Sequence, residues 1–255
     1  MSNFLGRVCL FVFLCTVAGS AFAGDFSGFY VGVNAGGASG TSDVTTTTIF
    51  SPTGYFAASS VPAIAIAGKN QLNPGSFTGG GQIGYNFQTG HLVIGGEADM
   101  GHMQLNELRS KSGIYPCCAP TGFTVAQSIS THYLLTVRPR VGVAFGRLLF
   151  YFTGGVAVTN AEYKTLFTDT FATARESATV RADRSSWIVG GGAEFRVTHH
   201  WSIKGEFLHT DFNNFRTTST NLTAFTPPIP FPSNIWSHNA TLTANIGRAG
   251  INFRF

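Results

Sequence analysis

Residues 187–207 read WIVGGGAEFRVTHHWSIKGEF. Trp187, Val189, Gly191, Ala193, Phe195 and Val197 occupy one side of a two-residue period, and Gly190, Gly192, Glu194 and Arg196 the other. After Thr198-His199-His200 the pattern resumes, with Trp201, Ile203, Gly205 and Phe207 against Ser202, Lys204 and Glu206. Successive side chains of a strand point to opposite faces, so the stretch predicts two strands joined by a tight antiparallel turn. The charges share a side with glycine, and the aromatics lie opposite. A soluble sandwich would make its polar face wet, varied and rich in charge; this pattern puts hydrocarbon against the Trp, Val and Phe side.

Six more segments follow the same rule. The first sets Phe29, Val31, Val33 and Ala35 against Tyr30, Gly32, Asn34 and Gly36; the second sets Phe77, Ile83, Tyr85 and Phe87 against Thr78, Gln82 and Asn86. The third opposes Leu92, Ile94, Ala98 and Met100 to Glu97 and Asp99, and the fourth opposes Tyr133, Leu135, Val137, Val141, Val143 and Phe145 to Thr136, Arg138 and Arg140. The fifth carries Leu148, Phe150, Phe152, Val156 and Val158 opposite Tyr151 and Thr153, and the eighth ends with Ala249, Ile251, Phe253 and Phe255 opposite Arg248, Asn252 and Arg254. Upstream of Gly247 the apolar set becomes Leu242, Ala244 and Ile246, which predicts a bulge near Gly247. Each segment is at least about as long as the 9–11 residues a tilted membrane strand needs. Phe87, Phe145, Trp187, Trp201, Phe207 and Phe255 sit near segment ends, as interfacial girdles do. Interior glycines leave room for long side chains inside a narrow barrel.

The links alternate in length. Short ones fall around Thr89-Gly90, Gly146-Arg147 and Thr198-His199-His200; long ones occupy roughly 39–75, 104–130, 165–184 and 215–236. The expected fold is therefore all-β: an eight-stranded antiparallel transmembrane up-and-down β-barrel with short periplasmic turns and long extracellular loops. Closure satisfies every backbone group in lipid.

Composition agrees. Only 11% of the 255 residues are charged, against about 25% in soluble domains. The net charge of +4 gives no basic stripe for nucleic acid, and 24 Phe exclude a disordered chain. Residues 1–23 read as a cleaved secretory signal, with Arg7, an apolar run from Val8 to Ala18 and Ala21-Phe22-Ala23 before the cleavage point. That run is too short to span a bilayer. The barrel domain is then 24–255, exported through the periplasm to the cell outer membrane. Cys9 and Cys15 leave with the signal, and the adjacent Cys117-Cys118 suits a vicinal disulfide in a loop.

The signal, GFYVGVNAGGA at 28–38, GGGQIGYNFQTG at 79–90 and the terminal RAGINFRF at 248–255 resemble the small outer-membrane β-barrel proteins of Gram-negative bacteria. Within them the chain is similar to the opacity-type and alphaproteobacterial immunogenic porin-like surface proteins, related in plan to the OmpA membrane domain. The resemblance covers essentially the whole mature chain. It implies that Ile251, Phe253 and Phe255 form the signal read by the outer-membrane assembly machinery. Expected partners are outer-membrane lipid (lipopolysaccharide and phospholipid), that machinery, and a host or cell-surface ligand for the loops.

The inward charges are Glu97, Asp99, Glu194 and Glu206 against Arg138, Arg140, Arg196, Lys204, Arg248 and Arg254. Neighbouring strands oppose in sign, and an eight-stranded interior is just wide enough for side chains to fill. The preferred reading is a salt-bridged plug in a structural and surface protein; the alternative is a narrow porin for small solutes. A lipid-modifying enzyme is the third reading. It would use His102 and His209, at the outer ends of the third and seventh segments, but neither G-x-S-x-G nor H-x-S is present. Neither a cofactor nor a metal site is expected. The first loop holds Thr45–Thr48 and the apolar patch Val61–Ala67, and a hairpin there could extend the barrel; the fourth holds Pro227, Pro228, Pro230 and Pro232 among Phe225, Phe231 and Trp236. Exposed aromatics on such loops suit contact with another surface.

Overall fold

The computed structural model describes residues 25–255, so the expected signal at 1–23 and its cleavage point lie outside the described residues. The first half of the chain contains β1 (Gly28–Thr48), α1 (Ser60–Ala67), β2 (Lys69–Leu72), β3 (Gly75–Thr89), β4 (Leu92–Met103), β5 (Asn106–Ile114) and β6 (Gly122–Thr131). The second half contains β7 (Tyr133–Phe145), β8 (Leu148–Asp169), β9 (Arg175–Arg196), β10 (Trp201–Ser219), β11 (Thr223–Ala224), β12 (Ile229–Pro230) and β13 (Trp236–Arg254).

Eight strands bond into a closed antiparallel ring in the order β1-β3-β4-β7-β8-β9-β10-β13, and β13 returns to β1. The five others are additions to this ring. Register is continuous across the closure, from Tyr30 opposite Arg254 to Thr41 opposite Thr243. Gly90 and Gly146 take left-handed φ of +58° and +59° at two of the tight turns, a conformation glycine adopts at little cost.

The period-two reading puts each side chain where the ring places it. Phe77, Phe87, Phe152, Trp187, Trp201 and Phe207 are outward and exposed, whereas Tyr30, Gln82, Asn86, Tyr151 and Asn252 are inward and buried. Going up the ring, the outward positions turn polar: Val156 and Val158 give way to Asn160, Glu162 and Lys164 on β8, and Trp187 to Asp183 and Arg181 on β9. β8 and β9 are 22 residues each. At about 3.3 Å per residue and about 40° of tilt such strands climb about 55 Å, twice the height of a typical apolar belt of about 25 Å. The barrel therefore continues well beyond the lipid.

Three expectations are corrected. There is no bulge at Gly247: even-numbered residues of β13 face inward along its whole length, so Leu242, Ala244 and Ile246 point into the barrel above Arg248. The change there is one of interior chemistry, from polar below to apolar above. The irregularity falls on β10 instead, where Phe212 opposes Leu242 and Phe215 opposes Ala240. The link expected at 165–184 is mostly strand, since β8 and β9 pair up to Thr168 opposite Arg175. The first loop is not a simple hairpin. Thr45–Thr48 belong to β1, β2 pairs with β1 over four residues, and Val61–Ala67 form the helix α1.

Candidate functional site

The inward face assembles one connected group of charges. β4 places Glu97 opposite Arg138 of β7 and Asp99 opposite Thr136. Arg138 donates to Glu97 and Asp99, both at 2.8 Å, and reaches Glu206 at 3.3 Å. Lys204 crosses from β10 to Glu97 at 2.7 Å and lies 3.4 Å from Glu206. Arg248 grips both Asp99 oxygens, at 2.9 and 2.8 Å, and donates through Nε to Glu206 at 2.5 Å. Arg140 lies between the rings of Tyr30 and Tyr151, at 4.8 and 5.1 Å, donates to Asn86 and approaches Glu194 at 3.2 Å. That last contact is an ion pair without hydrogen-bond alignment.

These eight side chains, four carboxylates and four cations, are at most 7% exposed. Removing so much charge from water costs several kcal/mol per ion unless each is paired and bonded. Pairing meets most of that demand, and two tyrosines add to it, Tyr30 donating to Glu97 at 2.8 Å and Tyr151 to Glu206 at 3.2 Å. Arg138 Nε, the two terminal nitrogens of Arg140 and one Glu194 oxygen stay without a hydrogen bond. Glycine makes the space. A Cβ at Gly84 would overlap the Tyr30 hydroxyl, and one at Gly192 would crowd that of Tyr151. Beside the charges, Asn34, Gln82 and Asn252 link in a chain at 3.0 and 2.5 Å.

Two of the ten expected residues stand apart. Arg196 makes no ion pair among the described residues; it is half-buried at the lower mouth, where it donates to the Asp25 carbonyl at 2.6 Å and lies over the Phe26 ring. Arg254 also lies over Phe26 and donates to Asp25, reaching Glu194 only at 3.5 Å. The residues thus clamp the segment before β1 across the opening. Phe26 is wholly buried there with Val93, Ala144, Leu149 and Tyr151. Nothing in the alternation marks Phe26, because it precedes the first strand.

Above the charges the interior is apolar, with Leu134, Ile188, Leu208, Phe212, Leu242 and Ile246 in one buried cluster. Higher still lies a polar layer. Gln127 donates to the Gly68 carbonyl that ends α1 and to Thr46, while His238 Nε2 is 3.1 Å from Ser219 and 3.3 Å from Glu176. Hydroxyl and carboxylate approach the same ring nitrogen, and Nδ1 faces Thr46. The fully buried His238 ring thus ties Thr46 of β1 to Ser219 of β10 and Glu176 of β9. A second cluster closes the top: Phe56, Ile64, Tyr115, Phe123, Phe167 and Trp236, under α1. Tyr55 and Tyr115 both donate to Asp169, at 2.5 and 3.0 Å. Cys117 and Cys118 are joined by a disulfide in this cap, with Ser60 Oγ 3.6 Å from Cys117.

The remaining candidates lie on the outside. His102 is exposed, and His209 bonds Asn245 at 2.8 Å beside Trp187. Ile251 and Phe255 are exposed on the outward face, and Phe253 packs on Trp201 and Phe255 at 5.1 and 5.3 Å.

A family model described as an outer membrane protein beta-barrel domain matches residues 8–225. The 31 kDa outer-membrane immunogenic protein of Brucella melitensis is 32% identical over 151 residues, which are 57% of this chain and 58% of the relative; its namesake from Brucella suis gives the same values. The chain thus matches less than two thirds of the length of these curated relatives. Among solved structures, the outer membrane protein OprG of Pseudomonas aeruginosa aligns over 90% of this chain and 96% of its own at 10% identity and a TM-score of 0.44. The outer membrane protease OmpT of Escherichia coli aligns over 89% and 97% at 12% identity and a TM-score of 0.39. Likeness at that level carries no argument about activity.

Proposed function

Since the chain belongs to the outer membrane protein β-barrel family and resides in the cell outer membrane, we propose that it is a sealed, non-conducting barrel of eight membrane-crossing strands whose extracellular cap presents a surface to other molecules. The observation that carries this reading is the neutral set of four carboxylates and four cations between two apolar seals, Phe26 with Leu149 below and Leu208 with Leu242 above. An ion would have to break several pairs at once and then cross two dry layers.

The residues at 1–23 act as the cleaved export signal, and Ile251, Phe253 and Phe255 as the handle for the assembly machinery. Lipopolysaccharide and phospholipid surround the belt. Phe171 and Phe225, exposed around Tyr55 and Phe231, offer aromatic contact to a host or cell-surface ligand. Planar-bilayer recording of the purified, refolded chain tests the central statement. Silent membranes are expected; sustained openings in most insertions would replace the sealed barrel by the narrow porin.

A further inference from the structure

Above the lipid-facing belt two strand edges face each other without backbone pairing, although the Asn73 N–H donates to Glu107 across the gap. β2 pairs only with β1, and β5 only with β6. Between their free edges lies a groove of about 550 Å³ whose walls carry Lys69, Asn70, Asn73, Arg109, Ser110 and Lys111. Arg109 and Lys111 share one face of β5, opposite Gln127 and Val125 of β6.

The charge in this groove is unbalanced. Arg109 pairs with Glu107 at 2.9 Å, but among the described residues no carboxylate lies within 4 Å of Lys69 or Lys111. The Lys111 ammonium instead lies 3.5 Å from the Lys69 carbonyl. Lys164 and Arg181, by contrast, both hold Glu162, at 2.7 and 2.9 Å. Charges on a free edge also discourage strand addition. That role explains cations on β5, but not their convergence with Lys69 of a separate strand on one concave site.

Height identifies the occupant. Phe77, outward and exposed, stands two residues below Gly75, where β3 begins and the chain leaves the groove. At about 2.5 Å of height per tilted residue, the groove from Asn73 to Lys69 spans about 10–20 Å above that ring. This is beyond the hydrocarbon and inside the saccharide layer of an outer-leaflet glycolipid. We propose that the groove binds the phosphorylated inner saccharide of such a glycolipid. Lys69, Arg109 and Lys111 hold phosphate through charge-assisted bonds, and Asn70 and Ser110 take sugar hydroxyls.

The test uses the whole refolded chain in detergent and titrates lipopolysaccharide carrying only its inner core, the same lipid stripped of phosphate, and a polyglutamate peptide. Lys69→Gln/Arg109→Gln/Lys111→Gln should weaken binding of the intact lipid about 100-fold, as should phosphate removal, while Lys164→Gln/Arg181→Gln leaves it unchanged. Heat-modifiable gel mobility checks that each variant folds. Should the triple variant not fold, Lys69→Gln/Lys111→Gln, which breaks no ion pair, is read in its place with a loss of about tenfold. Equal affinity of variant and parent, indifference to phosphate, or tighter binding of the peptide would each overturn the proposal.

Discussion

Replacing Arg138 by Met removes one guanidinium that touches three carboxylates, Glu97, Asp99 and Glu206. The shape of the stem is largely kept, so the loss is chiefly electrostatic. Four carboxylates would then face the three remaining cations, Arg140, Lys204 and Arg248, in a site where none of the eight residues exceeds 7% exposure. Breaking a buried pair in this way costs about 3–5 kcal/mol, a large share of the roughly 5–15 kcal/mol that holds a domain folded. Equilibrium unfolding in urea, with the barrel in lipid vesicles, measures it through the fluorescence of Trp187 and Trp201 on the belt. Arg138→Met/Asp99→Asn restores neutrality and should cost less than the sum of its two parts by about 1–2 kcal/mol. If Arg138→Met costs under about 1 kcal/mol, or if the double variant simply adds, water reaches the charges and the sealed barrel is wrong.

Four further outcomes are expected. Phe26→Ala should loosen the lower seal, with about 3 kcal/mol lost on unfolding and faster hydrogen exchange in residues 25–30, while belt strands keep their protection. Ile64→Asp buries a lone carboxylate in the cap and should expose residues 49–68 to protease without changing the gel mobility of the barrel. Phe255→Ala, at a ring that is 72% exposed, should reduce assembled protein in cells while changing refolded stability by less than about 1 kcal/mol; equal losses in both assays would assign Phe255 to packing. Burial, with the Asp169 carboxylate beside them, holds the Tyr55 and Tyr115 phenols above their usual range. Their contribution to the cap is therefore complete below about pH 10, the ordinary tyrosine value, and fades only as pH rises through the higher folded value. The difference in absorbance titration between the parent and Tyr55→Phe/Tyr115→Phe should show these two phenols ionising late, together with cap release.

Alternation along each strand determined which residues meet lipid and which meet the lumen, because a strand has only two faces and a one-residue slip exchanges them. Phe152 and Trp187 outward, and Glu97 and Arg138 inward, follow from that rule alone. Sign opposition between neighbouring strands also made Glu97–Arg138 legible, since those residues sit directly across one ladder. Contacts across the lumen were not legible: Lys204 with Glu97 and Arg248 with Asp99 join strands that are not neighbours. Tertiary structure also decided the composition of the charged site. Arg196 shares a face with Glu194, yet its height puts it at the mouth on Phe26, and alternation carries no information about height. Equally, the apolar residues of β13 above Gly247 looked like a change of phase because a single chain shows only that its pattern shifts. Closure of the ring shows why: the same inward face passes from a polar, membrane-level interior to a dry core standing above the lipid.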